Sequence, residues 1–203
     1  MWPTDIPYAI AFSALFFATF GSLEWGTRRF RWSPNYTRRI AHVLSGVLVL
    51  IDYFFISPIV FVLLVGGSTV LIGLSQWFQF ARSIHNVSRR TYGEVLLSVG
   101  YLVAYAVNSA PEVFVPSVLV IMFADSLAGI ATDLRGQTRH GVAGTVVFAV
   151  VSLVILLTAT TVPWYTAIAI ALSLTVVERV SLWGSDNVTI PAAAAVALTL
   201  FQS

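Results

Sequence analysis

Asp125 stands inside an apolar run, with Val118-Leu-Val-Ile-Met-Phe-Ala124 before it and Ser-Leu-Ala-Gly-Ile130 after it. Three further acids sit beside cations or at the start of an apolar stretch. Glu94 follows Arg89-Arg90-Thr-Tyr-Gly, Glu178 precedes Arg179, and Asp186-Asn187 opens the last apolar segment. The basic groups form three clusters: Arg38 and Arg39 with His42, Arg89 with Arg90, and Arg139 with His140. His140 leads into Gly141-Val-Ala-Gly144-Thr145. A glycine-containing helix start offers unpaired N–H groups and the positive end of the helix dipole, which suit a phosphate. Carboxylates for a divalent cation, with guanidinium, hydroxyl and backbone donors for phosphates, are the parts that phosphoryl transfer requires.

Most of these groups also have a plainer use. Arg38 and Arg39 can anchor a span by reaching to headgroups. His42, three and four residues on, shares their helical face and suits a satisfied helix-end histidine. Thr91 and Glu94 fit a capping box, and Asp186 and Asn187 fit an N-cap. Asp125 resists such accounts. A charged side chain near mid-bilayer costs about 2.5–3.5 kcal/mol on insertion scales, and an Asp has one methylene with which to reach water. A hydrated site, a cation or an arginine partner resolves that cost, so function is the default reading of Asp125.

The elements that must position these residues are membrane spans. Of 203 residues, 58% are hydrophobic and only 10% are charged, against about 25% charged in an ordinary soluble domain. The composition predicts an all-α, polytopic transmembrane helix bundle, read as a single domain over residues 1–203. Apolar segments fall at 7–23, 41–56, 57–80, 94–108, 113–131, 142–160, 163–180 and 188–202, with tight breaks at Ser57-Pro58, Asn108-Ser-Ala-Pro111 and Thr161-Val-Pro163. The second segment is the least secure, so the count is eight, or seven without it.

With eight spans the arginines sort by side. Arg28, Arg29, Arg31, Arg38 and Arg39 fall in the first loop, Arg82, Arg89 and Arg90 in the third, and Arg135 and Arg139 in the fifth, while Arg179 ends the seventh span. The even loops carry no basic residue. The positive-inside rule then puts the odd loops in the cytoplasm and both termini outside. Three Asn-x-Ser/Thr triplets, Asn35-Tyr-Thr37, Asn86-Val-Ser88 and Asn187-Val-Thr189, lie on the arginine side and read as loop chemistry, not glycosylation. All eleven basic residues are Arg and there is no Cys. Phosphate recognition must therefore use guanidinium forks, backbone N–H, His or a metal, and disulfide or thiolate chemistry is excluded. The arginines that give the net charge of +2 border spans, which speaks against a nucleic-acid partner. Nearly all chemistry-bearing residues thus gather at the cytoplasmic ends of the spans.

The ordered set resembles the dolichol kinase and phytol/farnesol kinase family of membrane lipid-alcohol kinases. Arg38-Arg39-Ile-Ala-His42-Val-Leu-Ser-Gly46 is similar to the family's basic pair and His, and Arg90-Thr-Tyr-Gly-Glu94 to its Tyr-Gly-Glu element. Ala124-Asp125-Ser-Leu-Ala128 resembles its acidic Gly-Asp-x-x-Ala element, with Ala124 in place of the usual Gly. His140-Gly-Val-Ala-Gly144-Thr145 resembles a Lys-Ser-x-x-Gly-Ser/Thr element, with His140 in place of Lys, and Glu178 with Asp186-Asn187-Val-Thr-Ile-Pro191 resembles the closing element. The glycine-rich stretch that usually follows the acidic element is reduced to Thr132-Asp-Leu-Arg-Gly136. The likeness runs over about residues 38–191.

What the resemblance and the residue chemistry together imply is a kinase that moves the γ-phosphoryl of CTP to a long-chain isoprenoid alcohol at the cytoplasmic face of a membrane, such as a prokaryotic plasma membrane. Asp125, Asp186 and Asn187 would hold Mg²⁺. Arg38, Arg39, Arg89, Arg90, Arg139, His140, Gly144 and Thr145 would bind phosphates or nucleotide. Glu94 or Glu178 would orient or deprotonate the alcohol, with His42 sharing that task, and a homodimer is compatible with these assignments. Two rivals use the same residues. One is a nucleotidyl transferase that makes a CDP-activated lipid, distinguished by release of pyrophosphate. The other is a secondary transporter with Asp125 as its ion site.

Overall fold

The computed structural model describes residues 2–78, 92–136 and 141–202. Among them the chain is all-helical, with eight helices and no strand. They are α1 (Trp2–Phe30), α2 (Pro34–Phe55), α3 (Pro58–Phe78), α4 (Gly93–Val107), α5 (Pro111–Leu134), α6 (Val142–Ala159), α7 (Trp164–Val180) and α8 (Asp186–Phe201). Each matches one apolar segment of the sequence in order. Four of them, Asp5–Phe30 within α1 and the whole of α3, α5 and α6, are long and apolar enough to cross a membrane. The shorter α4 and α8 are also apolar.

Proline sets several of the boundaries. α3 begins at Pro58, α5 at Pro111, and α7 directly after Pro163. A missing N–H costs nothing in the first turn, where that donor has no intrahelical partner. Asn108 ends α4 and makes the following turn itself: its Oδ1 accepts from the Ala110 N–H at 3.0 Å.

The chain divides into two compact units, 1–90 and 91–203. In the first, α1, α2 and α3 pack on one another. α1 runs well past the expected end of its apolar segment, so Arg28 and Arg29 lie in its last turn instead of in a loop. Arginine is a good helix former, and Arg28 pairs with Glu24 one turn earlier at 2.6 Å. Arg38 and Arg39 likewise lie within α2, leaving Arg31 to Ser33 as the connection. That turn is built by Arg31 at φ 55°, by the Ser33 hydroxyl accepting from the Tyr36 N–H at 3.3 Å, and by a 3.0 Å hydroxyl contact between Thr27 and buried Thr37. Thr37 of the first Asn-x-Thr triplet is therefore helix-start chemistry, a correction to its reading as a loop.

In the second unit, α5 is the central helix and touches α4, α6 and α8. Val113, Phe114, Val118, Val120, Ile121, Met122 and Ala124 are all buried along it. Its middle, Val120–Asp125, is a π-helical turn between the α-helical halves Pro111–Leu119 and Ser126–Leu134. The packing of the other helices depends on small residues. At Gly100 of α4 a Cβ would run into the backbone carbonyl of Asn187 in α8, so these two helices meet backbone to backbone.

Candidate functional site

Five helix ends of the second unit are tied together at one pole. Asn187, in the first turn of α8, donates from Nδ2 to the carbonyl of Gly93, the first residue of α4, at 2.9 Å. Gly184, in the α7–α8 connection, stands against Gly93 so closely that a Cβ on it would lie 2.9 Å from the Gly93 N and Cα. Arg179, in the last turn of α7, donates to the Thr145 hydroxyl in the first turn of α6 at 3.2 Å. Gly144, beside it, packs on the end of α5, where a Cβ would meet the Thr132 hydroxyl and stand 3.0 Å from the Ala128 carbonyl. At the opposite pole, Asn108 at the end of α4 donates from Nδ2 to the Thr199 hydroxyl of α8 at 3.1 Å. The antiparallel path of the chain thus places Glu94, Thr132, Gly144, Thr145, Glu178, Arg179, Asp186 and Asn187 at a common end.

Asp125 belongs to this end and lies deeper. It is nine residues before Leu134, the last residue of α5, or about 13 Å along the axis at ~1.5 Å per residue. The expected depth from a helix ending at residue 131 is smaller; α5 continues through Thr132, Asp133 and Leu134. The neighbouring Phe123 and Leu127 are 37% and 42% exposed. Asp125 lies on the other side of the helix from them, sharing a face with Ala128 and Thr132, the residues that abut Gly144. The carboxylate is therefore directed away from the apolar outer stripe. It closes the π-helical turn, a device frequent at functional sites.

The remaining acids are placed by their helix ends. Glu94 is in the first turn of α4, and Glu178, 9% exposed, is in the last turn of α7. The cap of α4 is Tyr92, which makes no side-chain cap hydrogen bond, and the expected Thr91–Glu94 capping box falls on Thr91, which lies outside the described residues. Asp186 and Asn187 do not cap α8 either. Ser185 takes that position, and the Asp186 Oδ1 accepts from the Asn187 N–H at 3.1 Å. Asn187, in the third Asn-x-Thr triplet, is buried within a helix and again is not loop chemistry.

Asn187 supplies the observation that bears on a cation. A carbonyl can only accept, so the bond to Gly93 fixes Nδ2 on that side and turns Oδ1 the other way. Oδ1 is buried and receives no hydrogen bond among the described residues, with Asn187 only 2% exposed. An unpaired buried acceptor is costly, and an amide oxygen is a suitable ligand for a hard divalent cation. Among the described residues no three acids or histidines gather as a metal cluster on their own.

Arg38, Arg39 and buried His42 lie on α2 in the first unit. Arg89, Arg90, Arg139 and His140 lie outside the described residues. Gly144 has a packing duty that its place in a phosphate-seat motif does not reveal. Two residues emerge only from the structure: Arg179, which reads in the sequence as the charged end of a span, and Ser126. Ser126 is adjacent to Asp125 and 2% exposed, and its Oγ makes no hydrogen bond among the described residues. Its serine type beside an acid in an apolar run is the one signal that could have marked it.

In comparisons with known proteins the chain matches no family model, no curated protein and no solved structure.

Proposed function

We propose that the chain is a membrane lipid-alcohol kinase that transfers the γ-phosphoryl of CTP to a long-chain isoprenoid alcohol at the cytoplasmic surface. The observation that carries this reading is the shared pole of the second unit. It joins two acid-bearing helix starts, a hydroxyl-bearing helix start with an arginine on it, and a sunken carboxylate on the adjoining helix face. The ordered sequence elements that resemble lipid-alcohol kinases lie mainly on this pole.

In the proposed reaction the alcohol oxygen forms a bond to the γ-phosphorus. The bond from that phosphorus to the β,γ-bridging oxygen breaks, and CDP leaves. The alcohol proton passes to the carboxylate of Glu94 or Glu178. Asp125, Asp186 and the Asn187 Oδ1 would hold Mg²⁺, which screens triphosphate charge when bound. Arg179, Thr145 and the N–H groups at the start of α6 would receive phosphate oxygens. The depth of Asp125 suits an acceptor whose chain stays in the bilayer while its hydroxyl meets the nucleotide.

The test incubates purified protein in detergent with Mg²⁺, γ-labelled CTP or ATP, and a panel of lipid alcohols. Label in the lipid with wild type, and none with Asp125→Ala, is the expected result. Pyrophosphate release with a CDP-lipid product would establish the nucleotidyl transferase instead. Proton-coupled uptake without any lipid phosphate would establish a transporter.

A further inference from the structure

We infer that Asn187 and Gly184 are positioning residues that hold Glu94 in register with the cation-binding oxygens, so that cation binding at α8 stiffens the start of α4. The inference rests on the proposed function for its chemistry, and on geometry for the linkage itself. Two contacts converge on one residue, Gly93, and a third lies further along α4. The Asn187 Nδ2 donates to the Gly93 carbonyl at 2.9 Å, Gly184 stands against the Gly93 N and Cα, and the backbone of Asn187 fills the space left open by Gly100 two turns along the same helix. Gly184 can make that approach because it has no Cβ and sits at φ 91°, a conformation that L side chains rarely adopt.

Glu94 is the next residue after Gly93, and Asp186 is the residue before Asn187. The clamp therefore fixes the relation between two proposed site acids through a single peptide unit on each side. Asn187 has two working ends. Its nitrogen is committed to Gly93, while its buried oxygen receives no hydrogen bond among the described residues. A cation drawn to that oxygen restrains the amide plane, and the amide nitrogen passes the restraint to the Gly93 carbonyl and the first turn of α4. Sequence distance hides this coupling, because its partners stand 94 residues apart.

Hydrogen exchange of purified full-length protein in detergent, read by mass spectrometry with and without Mg²⁺ alone, tests the linkage apart from activity. In wild type, Mg²⁺ should slow exchange over residues 92–100 as well as over 186–190. Asn187→Asp keeps an oxygen for the cation but replaces the donor facing Gly93, so Mg²⁺ should slow 186–190 and no longer 92–100. Gly184→Ala weakens the same clamp without touching Asn187 and should behave likewise. If that variant does not fold, Asn187→Asp alone decides.

Equal Mg²⁺ protection of 92–100 in wild type and both variants would overturn the inference, as would no Mg²⁺ effect on that segment in wild type. In the transfer assay Gly184→Ala should lower kcat by about 10²-fold, the scale of an ångström-level misplacement, with little change in the nucleotide KM. Its kcat–pH profile should also shift, which loss of folded protein alone would not produce. Coupled exchange in a wild type that phosphorylates no alcohol would sustain the clamp and sink the kinase; active wild type without the coupling would do the reverse.

Discussion

Arg179 donates its guanidinium to the Thr145 hydroxyl across 3.2 Å, joining the last turn of α7 to the first turn of α6. The pairing holds an exposed cation over a helix start, where unpaired N–H groups already favour an anion. Replacing Arg179 by Gln should raise the nucleotide KM by about tenfold, equivalent to about 1.4 kcal/mol of binding, with kcat much less affected. The bond itself contributes only about 0.5–1.5 kcal/mol to stability, so thermal unfolding in detergent should move little. Thr145→Val removes the hydroxyl and should weaken nucleotide binding in the same direction. Steady-state kinetics over a nucleotide series, beside an unfolding scan, check both.

Gly144 is explained by packing before it is explained by phosphate. A methyl group there would strike the Thr132 hydroxyl and crowd the Ala128 carbonyl at 3.0 Å. Gly144→Ala should therefore destabilise by about 1–3 kcal/mol, the usual cost of overfilling a packed interface. Adding Thr132→Ala should recover part of that loss and not all, because the carbonyl stays. A double-mutant cycle on unfolding midpoints measures the recovery.

The helices were legible in the sequence because the proline signals are local. Pro58, Pro111 and Pro163 each mark a start that the structure keeps, and the apolar lengths between them leave no room for other elements. The gathering of acids and arginine at one pole was legible for the same reason, since alternating helices return every second connection to one end. What stayed hidden depends on geometry that residue types do not encode. A π turn differs from an α turn by one residue over a single coil, and nothing in Val120–Asp125 announces it. A glycine before a helix serves phosphate or packing equally well, and only the place of Thr132 decides what Gly144 does. The Asn187–Gly93 bond spans the whole unit in sequence, beyond the reach of any spacing rule.

Asp125 tests whether the sunken acid acts by charge. Asp125→Asn keeps the shape of the side chain and removes the carboxylate. Loss of several kcal/mol of transition-state charge stabilisation corresponds to a fall in kcat of about a thousandfold. The fold should hold and even gain stability, because a neutral amide avoids the cost of a charge within the span. Activity loss with an equal or higher unfolding midpoint is the expected pair of results. Retained activity would remove Asp125 from the chemistry.

The pole opposite the proposed site acids supplies the control. Asn108 holds the Ala110 N–H and the Thr199 hydroxyl, so Asn108→Ala should cost about 1–3 kcal/mol, two hydrogen bonds' worth. Transfer kinetics of the folded fraction should not change. A kcat that fell with stability intact would mean that the chemistry is not confined to the Asn187 pole.

Sidedness follows from the same two poles, and the absence of cysteine makes it directly measurable. Leu134, at the end of α5 and 82% exposed, lies at the arginine-bearing pole, while Ser109, just before the start of α5, is exposed at the other. If α5 crosses the bilayer with arginines inside, Leu134→Cys and Ser109→Cys should react with an impermeant thiol reagent from opposite sides. In right-side-out vesicles Ser109→Cys should label and Leu134→Cys should label only after the membrane is opened. Inverted vesicles should give the reverse. Labelling of both from one side would show that α5 does not span, and would leave the Asp125 carboxylate without the bilayer that makes its position costly.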